Sequence, residues 1–150
     1  MSRSIRYQGA ILRDHHLLLI KHRHHADGHD YWVVPGGGLE AGETEEQCVR
    51  REMLEETHLV VRVERLLLDE AADTGGEYAR YKTYLCAPIS GEAQPGHEPE
   101  PEAAAAYSIS DIGWFDLRNE TRWDKQILAD TVTYPLVKRI KHALGYDSTW

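Results

Sequence analysis

The side chains in this chain best suited to chemistry are the carboxylates Glu52, Glu55 and Glu56, with Arg51 among them and Glu40 and Glu43 a few residues before. They follow the run Trp32-Val33-Val34-Pro35-Gly36-Gly37-Gly38, so an extended segment should enter a glycine turn and then a helix. Thr44 stands where its hydroxyl can accept an orphan amide at the helix start, and Gln47 follows at capping-box spacing. With Cys48 set to zero on a wheel of about 100° per residue, Glu55 falls at roughly −20°, Glu52 at roughly +40°, Glu56 at roughly +80° and Arg51 at roughly −60°. The three carboxylates therefore share one face. Val49 and Met53 lie beside it and Leu54 lies opposite, which predicts apolar stripes on both flanks.

Such a face repels itself, because like charges at i,i+4, such as Glu52 and Glu56, destabilise a helix. One arginine cannot neutralise three carboxylates. A hard divalent cation can: Mg²⁺ takes carboxylate oxygens and keeps waters or substrate phosphates as its remaining ligands. A solvated charged face is the competing reading, and helix geometry alone does not choose between them.

The full spacing does. Gly37, five residues, Glu43, seven residues, Arg51-Glu52-Met53, one residue, Glu55-Glu56, one residue, His58-Leu59 resembles the box of the Nudix hydrolases, the MutT-like family. Every charged position of that box matches. The late glycine of the pattern is His58 here, at the helix end where a left-handed backbone is common, and histidine tolerates that conformation less well than glycine. Trp32-x-x-Pro-Gly-Gly before the box and Gly113-Trp114-Phe115 after it extend the likeness.

The resemblance implies an α+β fold, the Nudix α/β/α sandwich with a mixed, largely antiparallel sheet, and a single domain over residues 1–150. It implies divalent-metal-dependent hydrolysis, with Mg²⁺ or Mn²⁺, of the diphosphate linkage in a nucleoside diphosphate joined to another group. Glu52, Glu55 and Glu56 would hold the cation, Glu52 would also be the candidate base, and Arg51 would orient a box carboxylate. Gly36, Gly37 and Gly38 would let backbone approach metal and phosphate where a side chain would clash. A non-catalytic nucleotide-sensing module on the same fold is the alternative; no box carboxylate is lost, as such a module would allow. A metal-dependent isomerase acting on a diphosphate substrate shares the fold as well.

The whole chain sets bounds. At 150 residues, 41% apolar and 28% charged, it is long enough to bury a core and ordinary in composition. A net charge of −8 argues against a nucleic-acid polymer as partner and for a small nucleotide diphosphate, with bound metal reversing the sign at the site. Cys48 and Cys86 lack metal-ligand or disulfide spacing and are expected as small buried hydrophobes, with a Cys48 thiol near the metal as the other option. No apolar run reaches the length of a membrane span and no signal-like segment opens the chain, so a cytoplasmic location is expected. Assembly stays open, with a homodimer among the options.

Pattern along the chain predicts strands over residues 5–12 and 17–20 around a turn at 14–16, the second buried on both faces. It predicts a polar, histidine-rich loop over 22–30, a short strand over 31–34, and the carboxylate helix over 44–57. Long strands over 59–70 and 77–89 should flank a turn at Gly75-Gly76, and a short strand should lie at 112–115. Pro135 should sit in the first turn of a final helix whose stripe is Leu136, Val137, Ile140 and Leu144. For substrate, the candidate cations are Arg23 in the histidine-rich loop and Arg80 and Lys82 on a strand. Tyr31, Trp32, Tyr78, Tyr81 and Trp114 are candidates for stacking on a base. One of Glu98, Glu100 and Glu102, in a Pro-rich loop over 90–103, could add a base or ligand.

Overall fold

The computed structural model describes residues 5–72, 78–97, 104 and 106–146. Among the described residues seven strands form one sheet: β1 (Ile5–Arg13), β2 (His16–His24), β3 (Asp30–Val33), β4 (Gly36–Gly37), β5 (Val60–Ala71), β6 (Arg80–Ser90) and β7 (Tyr107–Asp116). Helix α1 (Glu45–Thr57) covers one face. A 3₁₀ turn at Glu120–Arg122, the short α2 (Lys125–Ala129) and α3 (Thr133–Ala143) belong to the other side. The chain is thus an α+β sandwich, helix over sheet over helix, as the resemblance implied.

Side-chain alternation on the central strands builds the two cores. Leu18 and Ile20 of β2 join Tyr7, Ile11, Val49 and Met53 under α1, whereas Leu17 and Leu19 join Ala10, Ile127, Val137 and Ile140 under α2 and α3. The run 17–20 is therefore apolar throughout because both of its faces are covered.

The sheet is mixed. β1 runs parallel to β6 from Ile5↔Arg80 to Ile11↔Cys86; its other pairings are antiparallel. β1 and β2 pair only next to their turn, at Leu12↔Leu17 and Arg13↔His16. Beyond that they part. β4 takes over the free edge of β1 at Tyr7↔Gly37 and Gln8↔Gly36, and β3 takes over that of β2 at Ile20↔Val33 to Arg23↔Asp30. The segment that leads into the carboxylate helix is thereby wedged into the middle of the sheet.

Several elements depart from the expectations. β2 continues to His24 and β3 begins at Asp30, so the expected loop over 22–30 is confined to residues 25–29. β7 is longer than the expected 112–115 because it pairs with β2 from His16↔Asp116 to His24↔Tyr107, through an irregularity between Lys21 and His22. That ladder supplies hydrogen bonds whatever the polarity of the side chains. Leu54 is half exposed, so the second apolar stripe on α1 is not buried; the buried positions are Cys48, Val49, Glu52, Met53, Glu56 and Thr57. The expected Gly75-Gly76 turn lies outside the described residues. Pro135 is the third residue of α3, whose first amides are capped by Asp130: its Oδ1 accepts from the backbone N–H of Val132 and of Thr133, both at 2.8 Å.

Both ends of α1 form as the local sequence dictates. The Thr44 hydroxyl accepts from Gln47 N–H at 3.1 Å, and the Gln47 side chain accepts from Thr44 N–H at 2.9 Å, a complete capping box. At the other end His58 is left-handed, φ 64° and ψ 14°, with its N–H donating to Leu54 O. The backbone N–H groups of Gln94, Gly96 and His97 then satisfy the carbonyls of Thr57, Glu56 and Glu55. Left-handed geometry disfavours any residue with a Cβ, so His58→Gly is expected to stabilise by about 0.5 kcal/mol, net of the extra unfolded-state entropy of glycine. Turnover should not change, since the His58 side chain is exposed. Melting temperature and rate measured on one preparation check this; a stable variant with reduced turnover would instead make His58 part of the chemistry.

Candidate active site

The charged face of α1 is organised around Arg51. Its Nε donates to Glu43 Oε2 at 2.6 Å and its Nη2 to Glu43 Oε1 at 3.0 Å; Nη1 donates to Glu55 Oε1 at 2.9 Å and to Glu52 Oε2 at 3.2 Å. A further bond from Nη2 reaches Gly38 O at 3.1 Å. The bonds to Glu43, followed by the charges of Glu52, Glu43 and Glu55, raise the Arg51 pKa well above its ordinary value, and the same hydrogen bond holds the Glu43 carboxyl below the usual range. Glu43 Oε1 also accepts from Glu40 N–H at 3.0 Å, which fixes the loop ahead of the helix. Arg51 is thus a hub binding the loop to the helix, a wider role than orienting one carboxylate.

Glu52 and Glu56 are almost wholly buried, at 3% and 1% exposure. Glu56 Oε1 accepts from Gly36 N–H at 2.8 Å. A Cβ on Gly37 would overlap the Glu52 carboxylate, and one on Gly36 would strike the backbone of Tyr7 and Gln8. Glycine is required at 36 by the backbone of β1, and at 37 a side chain would displace the Glu52 carboxylate, so the inserted strand lies close between β1 and the carboxylates. The three glycines, Arg51, Glu52, Glu55 and Glu56 thus converge.

Among the described residues no group of three or more carboxylates, imidazoles or thiols is placed to hold a metal ion by itself. The donor set nevertheless suits a hard cation that relies on few protein oxygens and otherwise on waters or phosphates. Two buried carboxylates face a turn from which side chains are sterically excluded, and one arginine serves several acids. Cys48 is not a free thiolate in that site. Burial, then Glu52, pushes its thiol up to about 12, and Sγ donates to Gly38 O at 3.5 Å. Cys86 is likewise a buried thiol, pushed up to about 12 by burial.

Beside the carboxylates, where β1 and β2 part, a cavity of about 320 Å³ opens toward the N-terminal end of α3. Arg6 and Gln8 come to it from β1, His22 from β2, Tyr31 from β3, Tyr107 from β7 and Tyr81 from β6, with Tyr78 just before that strand. Arg6 joins the two regions. Its Nη2 donates to Val34 O at 2.8 Å and its Nε to Gln8 Oε1 at 3.2 Å. Burial opposes its charge, but the nearby Glu56 carboxylate, with smaller help from Tyr78, Tyr107 and Glu52, raises its pKa above the ordinary value.

The expected cations lie elsewhere. Arg23, at the outer end of β2, forms a two-point pair with Asp30, at 2.9 and 3.2 Å. Arg80 pairs with Asp69, and Lys82 with Glu45 at 3.1 Å, in the first turn of α1 and far along the helix from Glu56. The reason is strand parity: Lys82 and Tyr84 project toward α1, while the intervening Tyr81 and Thr83 project toward the cavity and Gln8. Of the expected aromatics, Tyr31, Tyr78 and Tyr81 line the cavity. Trp32 is buried in the core with its ring edge-on to Phe115, and Trp114 lies under the Arg13 guanidinium. Glu98, Glu100 and Glu102 lie outside the described residues. Arg6 and Tyr107 were not singled out from sequence. The alternation of β1 places Arg6 opposite Tyr7, but an arginine near the start of a strand reads as a surface charge unless the neighbouring strands are known to part.

A match to the NUDIX domain family spans residues 5–131, most of the chain. The chain belongs to the Nudix family. Within it, the protein is 31% identical over 110 residues to the NAD-capped RNA hydrolase NudC of Vibrio cholerae, a stretch covering 73% of this chain and 36% of that protein. It is 39% identical over 64 residues to an ADP-ribose pyrophosphatase of Methanocaldococcus jannaschii, covering 43% of this chain and 37% of that one. The chain therefore spans little more than a third of the length of these curated Nudix relatives. Among solved structures, a Nudix hydrolase of Nitrosomonas europaea superposes with a TM-score of 0.68 at 20% identity, covering 93% of this chain and 88% of that one. A UDP-X diphosphatase superposes at 0.65 and 21%, covering 96% of this chain and 64% of that one. These two likenesses are of fold. Among the described residues no helix is long and apolar enough to cross a membrane.

Proposed function

We propose that this Nudix protein hydrolyses the diphosphate linkage of a small nucleoside diphosphate joined to another group, with Mg²⁺ or Mn²⁺ as cofactor. The observation that carries this reading is the junction of two buried carboxylates, Glu52 and Glu56, with an aromatic cavity through one cation, Arg6. Glu52, Glu55 and Glu56 would hold the metal, which when bound neutralises diphosphate charge and lowers the pKa of a water. Glu52, held at Oε2 by Arg51, takes the proton of the attacking water. Arg6 binds a phosphate oxygen at the mouth of the cavity. The cavity takes the nucleoside, its base stacking on tyrosine rings, an interaction worth about 1–3 kcal/mol. Its volume, 320 Å³, is at the small end of ligand sites, which run from about 300 Å³ upward, and so suits one nucleoside better than two. The relatives named above, which act on NAD-capped RNA and ADP-ribose, support a nucleoside diphosphate derivative. The net charge of −8 favours a small molecule over a polymer.

The test is a panel of NADH, ADP-ribose, a UDP-sugar and a dinucleoside polyphosphate, assayed with Mg²⁺ and with Mn²⁺ by chromatography in ¹⁸O-labelled water. At least one should yield a nucleoside monophosphate, with label in a phosphate product, and excess EDTA should abolish the reaction. Turnover persisting in EDTA would overturn the metal assignment, and products without label would exclude hydrolysis.

A further inference from the structure

We propose that His22 determines which base the protein accepts, its Nε2 forming a hydrogen bond to the edge of the base in the cavity beside β1. This rests on the assignment of that cavity to the nucleoside.

His22 is 4% exposed and lines the cavity. Two neighbouring rings fix its plane: Tyr107 is stacked on it at 4.4 Å and 22°, and Tyr31 meets it edge-on at 5.5 Å and 78°. Its Nε2 is buried and has no hydrogen-bond partner among the described residues. Buried polar atoms in native proteins are nearly always paired, and an orphan marks an unfilled role. Ring stacking on Tyr107 does not by itself call for a histidine, because a phenylalanine also stacks on a tyrosine and leaves no polar atom unpaired. Burial, then the Arg6 guanidinium, pushes the imidazole down to about 3, so at working pH it is neutral. Its Nε2 then offers either one N–H or one lone pair, in a fixed direction. A single oriented donor or acceptor is what distinguishes base edges, since a base that cannot match it leaves a buried group unpaired. The sugar hydroxyls and phosphates are common to all nucleotides and cannot provide that discrimination.

The experiment is calorimetric binding of AMP, GMP, CMP and UMP, without metal, to the parent, His22→Phe and His22→Gln. In the parent, the tightest and weakest of the four should differ by about tenfold or more, the scale of one well-made hydrogen bond. His22→Phe keeps the stacked ring and loses Nε2, so it should compress that spread several-fold. Its melting temperature should be unchanged or higher, because an unpaired buried atom has been removed. A histidine kept for structure would give the opposite thermal result. His22→Gln restores a polar atom in a different place and should alter the order of the four bases; it carries the test by itself if the Phe variant fails to fold. A flat profile in the parent, no measurable binding of any of the four, or an undiminished preference in the variants overturns the proposal. Selective binding that depends on His22, without hydrolysis of any diphosphate, would sink the hydrolase reading and leave this one standing. Hydrolysis without base preference would do the reverse.

Discussion

Glu56→Gln is expected to fold normally and to lose about three orders of magnitude in turnover, the scale of removing a group that transfers a proton or stabilises developing charge. The substitution is nearly isosteric. Its amide oxygen can still accept the Gly36 N–H bond, which is 2.8 Å in the parent, so the inserted glycine strand keeps its anchor. What disappears is one negative charge from a side chain that is 1% exposed, where water cannot substitute for it. That charge is proposed to hold the cation and is a leading influence on the Arg6 pKa. Stability should fall modestly, because the relief of i,i+4 repulsion with Glu52 is outweighed by loss of the charge that favours the ionised Arg6 guanidinium against burial. Steady-state kinetics at saturating Mg²⁺ together with a thermal melt decide the matter. Parent-like turnover would remove Glu56 from the site, and a collapsed melting temperature would make its role structural.

Arg51→Met should be strongly destabilising. It removes the partner of Glu43, Glu52 and Glu55 at once and leaves two well-buried acids, Glu43 at 12% and Glu52 at 5% side-chain exposure, without their guanidinium. Breaking a buried pair from one side costs about 3–5 kcal/mol; Arg51 retains 20% exposure, so the lower end, about 3 kcal/mol, is expected. For a domain of this size that lowers the melting temperature by roughly 10 °C. The change should also alter the acid limb of the stability curve. The Glu43 carboxyl is held below its ordinary value chiefly by Arg51, so the stability it contributes is present at neutral pH and is lost as pH falls through the lowered value. Without Arg51 that loss is absent, and melting temperature should fall less steeply on acidification. A parallel drop in parent and variant would show that the Arg51–Glu43 pair does not govern acid stability.

Features that depend on near neighbours were legible in the sequence. The α1 capping box needs only Thr44 and Gln47, the left-handed end at His58 follows from the box pattern, and Pro135 finds the first turn of α3 by its own ring geometry. The shared face of Glu52, Glu55 and Glu56 follows from helical periodicity, and the apolar run 17–20 announced a strand covered on both sides. Leu54 was misread because a wheel gives direction and not what packs there.

The cavity was decided elsewhere. Arg6, His22 and Tyr107 are far apart along the chain and meet only because β1 and β2 separate after two paired positions and admit the glycine strand between them. Whether a strand cation faces the cavity or the helix is set by register: Lys82 falls on the α1 side and Tyr81 on the other. The amino-acid sequence by itself determined which carboxylates share a face, because their spacing along one helix is a local property of the backbone. Tertiary structure alone decided what lies beside those carboxylates, because strand pairing and register join residues that no local periodicity relates.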